Sequence, residues 1–393
     1  MRKNHIAFFS FPHYPHLNPT LPIVSVLVRR GHRVTYVASE QYAARIAELG
    51  AEVVPCEALH LAAVFEEGVN DQDILEQPFC RLAARTLADV LRFYEANRPD
   101  LIIYDFVAFA GRILAHRWGI PAVQVSPQFV LDRTNFAHQI TDPEFRAQLL
   151  KDSKDADAFL SRHGIVDGDF LFYREKLNIY FFPRTLQPRG TVSEETCFFA
   201  GRCAGEQPLY GDWLKENANG RLVALVSTST SYIRGPDYFR MCMAALSGLG
   251  WHVVLSIGDQ GDRSVLSPLP AHFEIVQHTS HLRILPHTTV FICLGGTITS
   301  AEAAYHGVPL LVTSHGFLEP ECMGNNIARA GLGIHLKKDD TSVESIRDAA
   351  MRLSSDAELR DRVRRLQECV RREAGAEETA NRIEEYLAAC RSY

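Results

Sequence analysis

Between residues 290 and 313 the chain has little choice of fold. The apolar run VFIC at 290–293 breaks at Gly295-Gly296, passes through Thr297-Ile298-Thr299-Ser300, and enters a helical pattern that lasts to His306. Gly307-Val308-Pro309 closes that pattern, and residues 309–313 are apolar again. Strand, Gly-rich turn, helix and strand in this order predict a parallel βαβ unit. The same order puts free backbone N–H groups at a helix N-terminus, where phosphate oxygens can bind. Two adjacent glycines alone specify only a tight turn, so the reading depends on the rest of the chain.

The same alternation fills the sequence. Residues 5–11 read as a strand, 12–18 as a loop, and Pro19 opens a helix over 20–30 that Gly31 ends. A strand over 32–38 follows, then a helix over 40–49 that Ser39 can cap and Gly50 closes, then a strand over 51–55. Further strands are expected at 101–106, 121–125, 178–182 and 197–200, with helical pattern across 57–98 and 108–118. Residues 127–175 are rich in aromatics, which either fill the core or line an apolar pocket. In the second half, strands are expected at 222–227, 252–257, 273–277, 290–293 and 309–313. Helices are expected at 237–249, 298–306, 322–330 and 343–354, and the helical tail over 357–389 breaks near Ala374-Gly375. This is an α/β pattern of two Rossmann-like domains, whose parallel sheets face a cleft with their carboxyl ends. The expected divisions are 1–205, 206–375, and a C-terminal helix over 376–393 that packs back toward the first domain.

Length and composition agree. At 393 residues the chain exceeds one ordinary core, and 46% hydrophobic with 22% charged residues is usual for a globular protein. A net charge of −6 offers no broad attraction to nucleic acid. No run approaches the roughly 18 apolar residues of a membrane span, and the apolar part of the amino terminus is too short for a signal peptide. The nine cysteines contain no C-x-x-C pair and no metal-ligand spacing, so they are expected as buried thiols in a reducing cytoplasm.

Several stretches together carry a resemblance that covers essentially the whole chain. They are IAFFS followed by PHLNP, RRGHRVTYV, LIIYD with RWGIPAVQVSP, LQP, GWHVVLSIG and EAAYHGVPLL. With them the sequence resembles the bacterial macrolide glycosyltransferases, in the nucleotide-sugar family that also holds plant flavonoid glucosyltransferases. The resemblance implies a GT-B fold, with an apolar, polyketide-like acceptor bound by the first domain and a UDP- or dTDP-sugar mainly by the second. It implies transfer with inversion at the anomeric carbon, without a metal or other cofactor.

Transfer to a hydroxyl needs a base to take the acceptor proton, and a histidine base needs an acid on its other ring nitrogen. The resemblance places the base at His16, in the loop after the first strand, and its partner at Asp105, which ends the fourth. His13 has no counterpart in the family. On the donor side the resemblance points to Ser229 and Thr230 in the loop after residues 222–226. It points to Gly296 and Thr299 for phosphate and to Glu302 for the ribose. His278 stands where an aromatic stacks on the base, and His281 where a glutamine follows. The acid that holds sugar hydroxyls falls at Glu319 or Glu321, depending on the side from which the loop is counted.

The sequence also departs from the family. Leu294 replaces a histidine that contacts the diphosphate, Ile298 replaces a glycine or asparagine, and no glutamine follows the sugar-binding acid. Three readings stay open on these residues. One is a glycosyltransferase with altered donor use. Another is a glycosyltransferase-fold protein that binds a natural product or partner enzyme. The third is an enzyme running a non-glycosyl reaction on such a product.

Overall fold

The computed structural model describes residues 3–59, 77–133, 136–140, 143–166, 169–188, 192, 195–201, 213, 215–228, 235–258, 261–279, 281–314 and 318–391. The chain forms two compact units. The first comprises Met1–Pro183, Gln187–Gly205 and Glu373–Tyr393, and the second comprises Arg184–Leu186 and Glu206–Arg372.

Among the described residues of the first unit, seven parallel strands pair in the order β3-β2-β1-β4-β5-β6-β7. They are β1 (His5–Phe9), β2 (Arg33–Ala38), β3 (Glu52–Pro55), β4 (Leu101–Asp105), β5 (Ala122–Ser126), β6 (Asn178–Tyr180) and β7 (Cys197–Phe199). Strands β1, β4 and β5 are buried along their whole length, as expected for a sheet covered on both faces. Chain order reverses between β1 and β4, so their carboxyl ends release two neighbouring loops at the sheet's switch point. One loop carries His16; the other begins at Asp105.

Helices cover both faces. After β1 the chain does not run through an open loop over 12–18 but winds into the short helix α1 (Tyr14–Leu17), and a 3-10 turn over Asn18–Thr20 leads into α2 (Leu21–Arg29). Helix α2 buries Leu21, Ile23, Val24, Val26 and Leu27 against the sheet. Before α3 (Glu40–Glu48), Ser39 makes no side-chain cap. Its hydroxyl is buried without a partner, and the Tyr42 N–H goes to its carbonyl at 3.1 Å instead. Helices α4 (Gln77–Ala96), α5 (Phe109–Trp118) and α6 (Phe136–Gln139) precede a long helix that the sequence pattern did not reveal, α7 (Pro143–Ser161). Its buried side includes Asp152 and Ser153 beside Leu149, Ala156 and Leu160, so polar residues interrupt the period.

Among the described residues of the second unit, six parallel strands pair in the order β10-β9-β8-β11-β12-β13. They are β8 (Val223–Ser227), β9 (His252–Ser256), β10 (Phe273–Val276), β11 (Val290–Cys293), β12 (Leu310–Thr313) and β13 (Gly333–Leu336). Strand β13 has no counterpart in the sequence expectation: it is short and three of its four residues are only half-buried. It pairs closely with β12, and a Cβ at Gly333 would overlap the Leu310 carbonyl oxygen. The helices are α8 (Pro236–Leu246), α9 (His281–Ile284), α10 (Thr297–His306), α11 (Leu318–Ala330), α12 (Val343–Ser355) and α13 (Ala357–Arg371).

The chain rejoins the first unit at Glu373, and α14 (Gly375–Arg391) packs on α2. Its Ala380, Ile383 and Leu387 enter the same core as Ile23, Val24 and Leu27. Ion pairs fix the register: Arg30 reaches Glu377 at 2.7 Å and Glu384 at 2.6 Å, and His32 meets Glu384 at 2.8 Å. No described helix is long and apolar enough to cross a membrane. The cysteines are not uniformly buried: Cys56, Cys197, Cys242, Cys293 and Cys322 are, Cys80 and Cys390 are half-buried, and Cys369 is exposed on α13.

Candidate active site

In the first unit, β1 and β4 set two side chains face to face. Asp105 is the last residue of β4 and its side chain is fully buried. Buried carboxylates need hydrogen bonds to both oxygens. Oδ1 accepts the Val107 N–H at 3.1 Å, and Oδ2 lies 2.8 Å from His16 Nδ1. Since a carboxylate can only accept, Nδ1 carries the hydrogen and the lone pair of neutral His16 is left on Nε2. That is the tautomer a general base requires.

The backbone positions His16. Both the His16 and Leu17 N–H groups donate to the His13 carbonyl at 3.0 Å, which winds the loop into α1. The imidazole is 13% exposed, enough for one edge to meet a ligand. Phe11 packs edge-on at 5.1 Å between centroids, and Phe106 stacks at 6.0 Å on an aromatic line that continues to Phe170 at 6.2 Å. A cavity of about 10 Å³, room for about one water, lies between Phe9, Ser10, Phe11 and the 107–110 turn. His13 is no second base: burial, assisted by neighbouring His16, pushes its imidazole down to about 3. It stays neutral.

In the second unit, the turn after β11 has the predicted shape. Gly295 takes φ +82°, and a Cβ there would meet Val312 Cγ1 at 2.9 Å, so the turn needs glycine twice over. Gly296 is the N-cap of α10, and its carbonyl accepts the Ser300 N–H at 2.9 Å and the Ser300 hydroxyl at 2.8 Å. The first-turn N–H groups of α10 have no partner within the helix, and the Thr299 hydroxyl lies close to Gly296, 3.7 Å from where a Cβ would stand. Leu294 is 2% exposed and packed into the core.

Glu302, buried on α10, is met by His281 Nδ1 at 2.7 Å. The two residues expected around the nucleoside are therefore bonded to each other. His278 is half-buried in the segment between β10 and α9. Glu321, on α11, sits in a different cluster, hydrogen-bonded by the Ser314 hydroxyl. Ser229 and Thr230 lie outside the described residues, as does the side chain of Glu319. Ser314, His335 and the aromatics flanking His16 carried no sequence signal of their own. The position of Ser314 just past β12 was the one available hint.

Comparison with known proteins bears on both units. Residues 240–386 match the family described as erythromycin biosynthesis protein CIII-like, C-terminal domain. The chain is 31% identical to the NDP-glycosyltransferase YjiC of Bacillus licheniformis, over 99% of each chain. It is 29% identical to the oleandomycin glycosyltransferase of Streptomyces antibioticus, over 98% of this chain and 91% of that one. The solved structure of the glycotransferase of kitacinnamycin superposes with a TM-score of 0.82 at 30% identity, covering 98% of this chain and all of the other.

Proposed function

This chain belongs to the antibiotic-type NDP-glycosyltransferase family, and from that membership we propose that it transfers a sugar from a UDP- or dTDP-sugar to a hydroxyl of an apolar, polyketide-like natural product, with inversion. That it is a glycosyltransferase of GT-B fold follows from its relatives; the base, the donor and the acceptor are the proposal. The observation that carries it is the 2.8 Å contact between His16 Nδ1 and Asp105 Oδ2.

In this reading the acceptor hydroxyl gives its proton to His16 Nε2 while its oxygen bonds to the anomeric carbon. The bond to the nucleoside diphosphate breaks from the opposite face, which inverts the centre. Asp105 holds the tautomer and offsets the imidazolium charge that develops. The leaving diphosphate carries the new negative charge, and the partial positive charge and free N–H groups at the start of α10 are suited to it. Thr299 adds a hydroxyl. With leucine at 294 this anion site has fewer side-chain donors than the sequence pattern of the family leads one to expect, so nucleotide binding is expected to be weaker.

Phe11, Phe106 and Phe170 give His16 an apolar flank, which supports an acceptor with a largely hydrocarbon surface. The cysteines among the described residues form no disulfide with one another, which supports a reducing, cytoplasmic setting. The test is direct. UDP-glucose and dTDP-glucose are each incubated with a panel of macrolide and aromatic polyketide aglycones, and products are read by mass spectrometry. Hexosylated product that depends on His16 is expected. No product, together with no UDP or dTDP binding at millimolar concentration, would overturn the reading.

A further inference from the structure

One strand away from the Gly295-Gly296 turn, the end of β12 carries a polar cluster around Glu321 whose other members have been given no role. Ser314 is completely buried, and its hydroxyl donates to Glu321 Oε1. His335, on β13, approaches the same hydroxyl with Nε2 at 2.9 Å and stands 3.7 Å from the other Glu321 oxygen. On its far side, His335 Nδ1 lies 3.1 Å from Asn325 Oδ1. Helix α11 makes room for the ring by having glycine at 324, where a Cβ would meet His335 Cδ2 at 2.5 Å.

Proton counting gives this chain a direction. A hydroxyl has one hydrogen, and Ser314 spends it on Glu321, so its oxygen can only accept from His335. Neutral His335 must then carry its hydrogen on Nε2, so Nδ1 can only accept, and the Asn325 amide, whose Oδ1 lies at 3.1 Å, must turn its NH₂ to the ring. Burial lowers the His335 pKa, which favours that neutral form. The result is a line of donors from Asn325 through His335 and Ser314 that ends on one oxygen of Glu321.

Glu321 is unlike its partners. Ser314 and the His335 side chain are buried, whereas Glu321 keeps 21% of its side chain exposed. One oxygen is held from below, which leaves the carboxylate with acceptor capacity toward solvent at the carboxyl edge of the sheet. Strands β11 and β12 are neighbours, so this carboxylate lies beside the strand whose turn opens α10.

We propose that Ser314 and His335 are positioning residues that hold Glu321 as the acceptor for the hydroxyl groups of the donor sugar. The inference rests on the glycosyltransferase reading and deepens it. It selects Glu321 of the two acids the sequence left open, and it gives that acid a serine and a histidine that hold it in place. Ser314 and His335 do not touch the sugar; they fix the carboxylate that does.

Steady-state kinetics with the full chain test this. Ser314→Ala and His335→Gln are each expected to raise the donor KM about tenfold, the usual size of a lost hydrogen bond to a charged group, while the acceptor KM stays unchanged. Glu321→Gln should raise it at least as much, and adding His335→Gln to Glu321→Gln should raise it no further, because the two act on one interaction. A ¹⁵N spectrum of the wild-type histidines should show His335 protonated on Nε2 at neutral pH. That measurement does not depend on activity, and thermal melting identifies any variant that fails to fold. The proposal is overturned if wild-type enzyme transfers sugar but Ser314→Ala and Glu321→Gln, both folded, leave the donor KM unchanged. It is overturned equally if His335 is protonated on Nδ1. A wild type that transfers no sugar at all instead removes the function on which the proposal rests.

Discussion

His16 Nδ1 lies 2.8 Å from Asp105 Oδ2, and the second oxygen of Asp105 is taken by the Val107 N–H at 3.1 Å. The carboxylate therefore cannot turn away from the imidazole, and the ring is held in the tautomer with its lone pair on Nε2. His16→Ala is expected to lower kcat by about 10²–10⁴-fold with acceptor saturating, since a positioned base contributes that much. Asp105→Asn keeps the shape but can donate to the ring and stabilise the wrong tautomer, so a loss of similar size is expected with little change in either KM. Full turnover by His16→Ala at saturating acceptor would remove it as the base.

The strands that carry this site could be read in advance, and the reason is local. The roles of His16 and Asp105 come from the resemblance; what the pattern itself marks is the strand ends before them, where apolar runs give way to turn residues. Gly295-Gly296 is legible on the same grounds. Ser314 and His335 are not, because their meeting depends on the register that pairs Val312 with His335, and β13 is too short and half-exposed to announce itself. Helix α7 stayed hidden because Asp152 and Ser153 lie on its buried side. The resemblance placed Glu302 and His281 around the nucleoside but gave no sign that they would bond to each other at 2.7 Å.

His13 leads to a prediction about stability. Burial, assisted by His16, holds its folded pKa at about 3, against about 6.5 in an unfolded chain. Between those values the unfolded chain takes a proton that the folded one refuses, so stability falls as pH drops through that window. The thermal midpoint of His13→Asn is expected to fall less steeply from pH 6.5 to 4 than that of the wild type. Parallel pH profiles for the two proteins would mean that His13 protonates normally in the fold.

Glu384 joins α14 to the first unit through His32 at 2.8 Å and Arg30 at 2.6 Å. Burial alone would raise its carboxyl, but the hydrogen bonds from His32 and Arg30 outweigh that and hold it below the usual range. Glu384→Gln takes the carboxylate from His32 and leaves Arg30 with Glu377 alone, and is expected to cost about 1–3 kcal/mol. The neighbouring Glu385→Gln, with its side chain 66% exposed, should change stability by less than about 0.5 kcal/mol. Urea titration of both variants checks the contrast, and equal midpoints would show that the Glu384 pairs add nothing.

The two glycines before α10 are adjacent in sequence yet should respond oppositely to the same substitution. Gly295 has φ +82°, where an L-residue is strained by roughly 1–2 kcal/mol, and a Cβ there would press on Val312 Cγ1 at 2.9 Å. Val312 is fully buried on β12 and cannot move aside, so Gly295→Ala must shift the turn itself. Gly296 has φ −57°, open to any residue, and the nearest atom to an added Cβ is the Thr299 hydroxyl at an ordinary 3.7 Å. Gly296→Ala should therefore fold nearly as well as wild type, losing about 1 kcal/mol or less at the N-cap. Its new methyl, however, would sit at the N-cap, 3.7 Å from the Thr299 hydroxyl, and crowd a diphosphate bound at the first turn. Gly295→Ala is expected to lower the melting temperature by several degrees. Gly296→Ala should melt within about two degrees of wild type while weakening UDP or dTDP binding severalfold by calorimetry. Unchanged nucleotide affinity in a folded Gly296→Ala would place the diphosphate elsewhere and leave the helix N-terminus a structural turn only.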